Sequence, residues 1–317
     1  MLTTLDAGSY QAHELHRGER VWPETNCYVD VWVELLHALG LNPVAAMAFT
    51  VGMDFEGDQW TFFKPPHHDL YRFYGLDVQE LALWRTPEIN IEEQVQRGRV
   101  PLVEVDAFFL PDTAGVSHGI DHVKTTIAVT AIDPVARHLG YFHSRGYFEL
   151  STEDYDGLFA VARDGLPPYA EIVKLDGILR LDDQACRDIA GSVLREHVAR
   201  MPTANPFTAY RARYALDTVW LRDQAMPVFH AYAFATLRQC GACAELAAAF
   251  LSWLAADGEP FRAASAFATI ASASKAMQFK IARMMATGKS SDVSELLDQM
   301  EASWETASSE LRALHAA

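Results

Sequence analysis

The stretch Thr25-Asn26-Cys27-Tyr28-Val29-Asp30-Val31-Trp32-Val33-Glu34-Leu35-Leu36-His37-Ala38-Leu39-Gly40 places a cysteine at the predicted start of an amphipathic helix. Apolar residues recur in it every three or four positions, and a glycine stands where a C-terminal cap is expected. Thr25 or Asn26 can cap the first turn through a side-chain oxygen. Because the N–H groups at a helix N-terminus stabilise an anion, we expect the Cys27 thiol to ionise more readily than a free thiol. The position suits a nucleophile; the alternative interpretation is a small buried apolar residue.

Composition excludes several classes of protein. The chain has 317 residues, half of them apolar, and a formal net charge of −16, which predicts a soluble globule of one large or two ordinary domains. The acidic balance argues against nucleic-acid and membrane partners. No apolar stretch is long enough to cross a bilayer, and the first residues do not resemble a signal peptide. Four cysteines are too few for a disulfide scaffold, so free thiols and a cytoplasmic location are expected.

The first half of the chain combines helices with strands. Residues 100–110 are β-branched and aromatic enough to form a buried strand, and a polar, glycine-rich loop leads to a second strand at 122–132. A third strand is predicted at about 137–143. Three sequential strands with short connections predict an antiparallel meander, with His122 at the start of its middle strand.

From about residue 151 the pattern becomes helical and alanine-rich, and strand signals end. We therefore predict an α+β domain at 1–150 and an all-α domain at 151–317. The boundary is a change of secondary structure and requires no flexible linker.

A cysteine nucleophile needs a base that takes its proton and returns it to a leaving group. The chain offers Cys27 at a helix start, followed by His122 at the head of a strand in an antiparallel sheet. Papain-like cysteine enzymes have the same order and the same structural settings, with helix and sheet facing each other across the site. The predicted fold is therefore α+β with a papain-like core, in which the N-terminal helix packs on the sheet.

Three segments also carry a family resemblance: Trp22-Pro23-Glu24-Thr25-Asn26-Cys27-Tyr28-Val29-Asp30, Val103-Glu104-Val105-Asp106-Ala107-Phe108-Phe109-Leu110-Pro111, and His122 with its strand and Asp133. They resemble an uncharacterised bacterial family and, more distantly, the papain-like acyltransferase of butirosin biosynthesis. The wider resemblance covers about residues 10 to 150. The closer family tends to accompany ligases that charge carrier proteins with amino acids.

This resemblance implies thioester chemistry. Cys27 would accept an aminoacyl or acyl group from the phosphopantetheine arm of a carrier protein and pass it to a small amine or hydroxyl acceptor. The arm belongs to the substrate, so no bound cofactor is expected. An aromatic cluster from Trp60 to Tyr74, more readily interpreted as core, could instead bind a carnitine-like alcohol through cation–π contact. The alternatives are a hydrolase of the same fold, acting as thioesterase or peptidase, and a non-catalytic scaffold that binds carrier proteins.

The sequence offers three candidates for the orienting carboxylate. Related papain-like enzymes often have an acidic residue after the strand that follows the histidine, where this chain has His143-Ser144-Arg145. Asp106 is the first choice because two adjacent antiparallel strands can bring it to the imidazole, and Asp133 and Asp121 are alternatives. The glutamine of papain-like oxyanion holes is also missing. Asn26 can donate in its place, or can simply cap the helix.

Other motifs give weaker signals. Cys240 and Cys243 have redox spacing but fall inside a predicted helix, which favours helix packing. His67-His68 beside Asp69 is more readily interpreted as a polar loop than as a metal site, and no metal is predicted. Because carrier proteins are usually acidic, a local basic patch is needed for docking. The candidates are Arg211, Arg213 and Arg222, or Lys275, Lys280, Arg283 and Lys289.

Overall fold

A computed structural model describes residues 5–164, 167–256, 258–289 and 291–316 of the chain. It has an α+β architecture in which one antiparallel sheet is followed by a helical region. The strands are β1 (Asp77–Glu80), β2 (Val100–Asp106), β3 (Lys124–Asp133), β4 (His138–His143), β5 (Gly146–Ser151) and β6 (Ala170–Lys174).

Helices account for most of the remaining described residues. They are α1 (Cys27–Ala38), α2 (His67–Tyr74), α3 (Pro87–Gln96), α4 (Thr152–Asp164), α5 (Asp183–Val198), α6 (Pro206–Leu221), α7 (Met226–Ala233), α8 (Gln239–Ala255), α9 (Arg262–Thr287) and α10 (Ser294–Ala316). A π-helical segment, Phe234–Arg238, joins α7 to α8, and Pro43–Gly52 forms a 3-10 helix. In the part of the chain described, none of these helices is both long and apolar enough to span a membrane.

The sheet has the strand order β1-β6-β2-β3-β4-β5, and every neighbouring pair is antiparallel. Helix α1 packs on one face, against β3 and β4. Helices α3 and α4 cover the other face, where they enclose a core that includes Val103, Ile127, Val129, Tyr141 and Leu158. Since side chains alternate between the faces of a strand, each neighbour of a core residue in β2 or β3 points toward the α1 face.

The chain divides into two compact units, each made of several segments. The first comprises the residues up to Gly18, Asn26–Pro43 and Pro66–Leu181, and contains the sheet with α1 to α4. The second comprises Glu19–Thr25, Val44–Pro65 and the residues from Asp182 onward. Its core is built on α8, α9 and α10, with Trp22, Phe207, Phe267 and Trp304 among its buried aromatic residues.

The predicted α+β class and the antiparallel meander of β2, β3 and β4 are confirmed. The expectation that strands end before residue 151 is wrong, because Ala170–Lys174 forms β6 between β1 and β2. This short segment carries an acidic and a basic residue, so its hydrophobic pattern is weak, and its pairing with two distant strands is what makes it a strand. Strand β3 begins at Lys124, so His122 lies two residues before it.

Candidate functional site

The start of α1 fixes the position of Cys27. Asn26 is the N-cap residue, with an extended backbone, and its Oδ1 accepts a hydrogen bond from the Val29 N–H at 3.0 Å. Cys27 is therefore the first residue of the helix, where free backbone N–H groups collect. Its thiol is partly exposed, and Sγ lies 3.8 Å from Oγ1 of Thr126 on β3. The Cys27 sulfur thus contacts the sheet at Thr126.

Asp106 and His122 form a tightly positioned pair. His122 Nδ1 lies 2.6 Å from Asp106 Oδ2, while Asp106 Oδ1 accepts a hydrogen bond from the Phe108 N–H at 3.0 Å. The Phe108 ring stacks on the imidazole with centroids 4.4 Å apart and planes 10° apart. The carboxylate and the ring therefore hold the imidazole from two sides. This arrangement orients Nε2 away from Asp106, and the imidazole side chain remains 66% exposed.

The strand register brings this pair to the sulfur's side of the sheet. Asp106 is paired with Lys124, and Glu104 is paired with Thr126. Paired residues of an antiparallel ladder share a face, and so do residues two apart on one strand. Asp106 and Thr126 are therefore diagonal neighbours on the α1 face, a separation of about 7–8 Å in such ladders. Asp106 and the residue that Cys27 contacts, Thr126, thus lie on the same face of the sheet, and Asp106 holds His122 at that end of β3.

The remaining predicted site residues lie in different settings. Asp133 Oδ1 accepts hydrogen bonds from Val135 and Ala136 N–H at 2.9 Å each, and so closes the β3–β4 turn at the far end of β3 from His122. Asp121 is exposed on the loop just before His122. Of the three candidate carboxylates, Asp106 is the one hydrogen-bonded to the imidazole. The Asn26 oxygen caps the helix, which is the predicted alternative to oxyanion binding.

A second imidazole network on the opposite face was not predicted. His143 Nε2 lies 2.8 Å from Thr125 Oγ1, and its Nδ1 lies 2.6 Å from Asp112 Oδ2. Tyr141 donates its hydroxyl to the other oxygen of Asp112 at 2.6 Å. All of these groups are buried or nearly so. The network holds Asp112, in the loop that ends at His122. Alternation along β3 and β4 brings Thr125 and His143 to one face only in the observed register, so the sequence pattern alone does not reveal the pair.

A third cluster lies beside Cys27. Glu171 on β6 is 1% exposed, and its carboxylate accepts a hydrogen bond from the Tyr28 hydroxyl at 2.6 Å and lies 3.3 Å from His67 Nε2. Burial opposes the charge of Glu171, but the hydrogen bonds from His67, Tyr169 and Tyr28 outweigh it and lower its pKa. Tyr28 follows the cysteine directly, so this cluster ties the first turn of α1 to the sheet.

The other sequence motifs contribute no site here. Cys240 and Cys243 are buried in α8, where burial raises the pKa of Cys240 to about 12 and that of Cys243 further. This confirms helix packing for that pair. His67 belongs to α2 rather than to a loop. Within the described residues, no group of three His, Cys, Asp or Glu side chains could hold a metal ion. Four of the six aromatic residues from Trp60 to Tyr74 are buried, as expected for core.

Comparisons with known proteins identify a family. No curated protein matches the chain. Residues 11–175 match the family model described as the DUF1839 N-terminal domain, and residues 183–313 match the one described as the DUF1839 C-terminal domain. The first match covers the sheet and the residues of the candidate site, and the second covers α5 to α9 and most of α10. The two matches together span most of the sequence, and the chain belongs to the DUF1839 family.

Proposed function

We propose that the protein is a cysteine-dependent acyltransferase with a papain-like core, which moves an aminoacyl or acyl group from a carrier-protein thioester to a small amine or hydroxyl acceptor. The observation that carries the proposal is the 2.6 Å contact between Asp106 Oδ2 and His122 Nδ1, on the sheet face that the Cys27 thiol contacts. A thiol, an imidazole and an orienting carboxylate are the three groups that covalent acyl transfer requires. The resemblance of the site segments to a papain-like acyltransferase supports the choice of reaction.

The first half of the reaction forms an acyl-enzyme. His122 Nε2 takes the proton of the Cys27 thiol, and the thiolate attacks the thioester carbonyl of the substrate. The developing oxyanion would be stabilised by the Cys27 backbone N–H at the helix start and by the side-chain amide of Asn26. When the tetrahedral intermediate collapses, the C–S bond to the phosphopantetheine arm breaks. The departing thiolate takes the proton from His122, and the acyl group remains on Cys27.

The second half transfers the acyl group. An amine or hydroxyl acceptor attacks the acyl-Cys27 carbonyl while His122 Nε2 removes its proton, and the Cys27 thiolate leaves and recovers that proton. Asp106 keeps Nδ1 protonated and the ring oriented throughout, because its second oxygen is fixed by the Phe108 N–H. The proposed sequence is a ping-pong mechanism in which the carrier leaves before the acceptor reacts. No bound cofactor takes part, and the four free cysteines fit a reducing, cytoplasmic setting.

Hydrolysis is the second candidate function, and one observation favours it. The His122 side chain is 66% exposed, so water can reach the imidazole before any acceptor binds. A thioesterase or peptidase would use the same acyl-Cys27 intermediate with water as the acceptor. The two functions differ only in whether a second substrate suppresses hydrolysis.

The test is intact-mass measurement of the protein after mixing with two donors. One is each holo carrier protein encoded in the same genome, loaded with an amino acid, and the other is an aminoacyl-N-acetylcysteamine thioester, which needs no protein docking. We expect a mass gain of one aminoacyl group that is lost in Cys27→Ala and kept in the matched variant Cys186→Ala. His122→Ala should form the adduct slowly, whereas His118→Ala, which removes the imidazole paired with Asp154 at 3.0 Å, should form it normally.

The outcomes separate the candidate functions. Discharge of the adduct by screened amines or alcohols supports transfer, and discharge by water that no acceptor suppresses supports the hydrolase. Absence of any adduct with both donors, together with no turnover of the thioester, contradicts the catalytic proposal. If a carrier protein still binds in that case, the protein would be a non-catalytic scaffold for carrier proteins.

A further inference from the structure

Thr126 brings a hydroxyl group to the Cys27 sulfur from an internal strand of the sheet. The residue is 6% exposed, and in the described part of the chain the hydrogen bond that reaches its hydroxyl comes from the Cys27 thiol, with 3.8 Å between Sγ and Oγ1. Thr126 belongs to β3, which is held by β2 on one side and by β4 on the other. The hydroxyl therefore sits on a well-fixed part of the main chain.

This contact changes character when the thiol loses its proton. The neutral thiol donates its hydrogen to Oγ1, whereas a thiolate has no hydrogen to donate and can only accept. A threonine hydroxyl both accepts and donates, and its hydrogen turns to suit the partner. It can therefore donate to the thiolate without any movement of the main chain. Because hydrogen bonds to charged groups are the stronger ones, the contact favours the thiolate over the thiol.

The neighbours of Thr126 on the α1 face are charged, and their charges are paired. The register places Glu104 opposite Thr126 and Asp106 opposite Lys124. Lys124 Nζ lies 2.6 Å from Glu104 Oε1, and Asp106 Oδ2 lies 2.6 Å from His122 Nδ1. Each carboxylate thus has a partner that offsets its repulsion of a thiolate. Thr126 is the uncharged residue among these neighbours, and its side chain is the one that contacts the sulfur.

Charged groups of the other elements near the first turn of α1 are also engaged. Glu171 of β6 lies 3.3 Å from Nε2 of His67 on α2. Asp30, one turn further along α1, lies 3.2 Å from Nε2 of the buried His16. Strand β4, which packs on α1, brings the uncharged Phe142 to this face. A thiolate at the helix start therefore meets a neutral donor in the sheet, while the nearby acids interact with imidazoles.

We propose that Thr126 is a positioning residue of the reaction, whose hydroxyl donates a hydrogen bond to the Cys27 thiolate and so stabilises the nucleophile. This inference rests on the proposed function, in which Cys27 is the nucleophile. The thiol proton passes to His122 Nε2, and Thr126 keeps its own proton throughout. When the acyl group bonds to the sulfur, the sulfur becomes neutral and a weak acceptor, so the hydrogen bond weakens. When that C–S bond breaks in the second half of the reaction, the thiolate forms again and the hydroxyl donates to it.

The test follows the reaction of Cys27 with dithiodipyridine, a small aromatic disulfide, from about pH 5 to about pH 9.5, where protein thiols titrate. The thiolate attacks one sulfur, forms a mixed disulfide and releases one thiopyridone, whose absorbance gives the rate. Valine has the shape of threonine without the hydroxyl, so Thr126→Val should raise the pH of half-maximal rate by about one unit. A less acidic thiol gives a more reactive thiolate, so the rate at high pH should rise by about threefold. The rate well below the half-maximal pH should fall by about threefold, because fewer thiols are ionised.

Two variants on the same strand serve as controls. Thr125 is also 6% exposed, and its Oγ1 lies 2.8 Å from His143 Nε2 on the other face of the sheet. Thr125→Val makes the same chemical change there and should keep the half-maximal pH of the wild type. Thr126→Ser retains a hydroxyl and should also keep it. Cys27→Ala gives the background rate of the other three cysteines, which are buried.

Three results overturn the inference. They are an unchanged half-maximal pH in Thr126→Val, an equal rise in Thr125→Val or Thr126→Ser, and a wild-type rate no higher than that of Cys27→Ala. Opposite changes at low and high pH also exclude a loosened fold, which would raise the rate at every pH. The disulfide reaction needs no acyl donor. If neither aminoacyl donor acylates the wild type, the proposed function fails and the pH profile still decides the role of Thr126. If acylation occurs and the profile of Thr126→Val equals that of the wild type, the inference alone fails.

Discussion

Asp106 hydrogen-bonds to His122 across the start of β3, with 2.6 Å between Oδ2 and Nδ1, although the two residues are separated by a loop of fifteen residues. The antiparallel pairing of β2 with β3 makes the contact possible, because Asp106 ends one strand opposite Lys124 at the start of the next. The loop between them is anchored at its beginning by the Asp112 carboxylate, which His143 and Tyr141 hold. The loop that leads to His122 is thus tied to residues on both faces of the sheet.

The variant Asp106→Asn tests whether this carboxylate orients the imidazole. Asparagine can still accept the Phe108 N–H, so the local turn should persist, but the charge that stabilises an imidazolium is lost. We expect the rate of Cys27 acylation by the small thioester to fall by about 100-fold or more. The matched variant Asp133→Asn alters a turn at the other end of β3 and should keep the wild-type rate. Equal rates for Asp106→Asn and the wild type would exclude Asp106 as the third member.

Alkylation distinguishes a nucleophilic Cys27 from an ordinary thiol. Cys27 is partly exposed, whereas Cys186, Cys240 and Cys243 are buried and burial raises the pKa of each. We expect one equivalent of iodoacetamide to modify Cys27 first at pH 7.5, as peptide mapping would show. His122→Ala should slow that reaction, since the imidazole base is lost, and His118→Ala should not. Modification spread over several cysteines in the native protein would contradict this prediction.

The buried His16 should make stability depend on pH. Burial disfavours its charge, but hydrogen bonds and charge interactions with Asp30 and Glu34 prevail and raise the pKa of His16 to about 9. The stabilisation that this charge provides is fully present below the ordinary histidine pKa and is lost as pH rises through about 9. From urea titrations we expect the free energy of unfolding to fall by about 3 kcal/mol between pH 6.5 and 9.5. Burial lowers the pKa of the neighbouring His13 to about 4, so His13 stays neutral over this range.

The controls for this prediction are two glutamine variants. His16→Gln cannot titrate and leaves two carboxylates without their cation, so it should be less stable at pH 6.5 and should show a flatter pH profile. His118→Gln, at a partly exposed histidine, should retain the wild-type slope. A wild-type profile in His16→Gln would mean that other groups cause the pH dependence.

Alanine substitutions at two helical glycines, Gly241 and Gly191, should change the stability of the protein in opposite directions. A Cβ on Gly241 would lie 2.4 Å from Nε1 of the buried Trp22, which donates to the Ala271 carbonyl at 3.0 Å. Gly191 is also in a helix, but a Cβ there meets nothing within 4 Å. By thermal or urea unfolding, we expect Gly241→Ala to lose about 1–3 kcal/mol. Gly191→Ala should gain about 0.5–1 kcal/mol. A neutral Gly241→Ala would show that the Trp22 contact can relax.

The sequence predicted local features of the site better than its long-range contacts. The start of α1 and the cap at Asn26 follow from a few adjacent residues, and Asp106 was reached because β2 and β3 are neighbours in the chain. Strand β6 was missed because its pairing with β1 and β2 spans many residues and its own pattern is mixed. The contact of Cys27 with Thr126 and the network of Asp112 with His143 depend on register, which local periodicity does not specify.

Asn26 can be tested for two roles that its side chain combines. Its Oδ1 caps α1 through the Val29 N–H, and the proposed mechanism assigns its amide group to the oxyanion. Serine caps a helix as well as asparagine does, so Asn26→Ser should keep the free energy of unfolding within about 0.5 kcal/mol of the wild type. The serine side chain is, however, too short to place a donor where the Asn26 amide group lies. Acylation of Cys27 by the small thioester should nevertheless fall by at least about tenfold, since one oxyanion donor is lost. Asn26→Ala should show the same slow acylation, and its free energy of unfolding should be about 1 kcal/mol lower than that of Asn26→Ser. If Asn26→Ser acylates at the wild-type rate while Asn26→Ala is only less stable, the residue is a helix cap and the oxyanion donors must be found among the backbone N–H groups of α1.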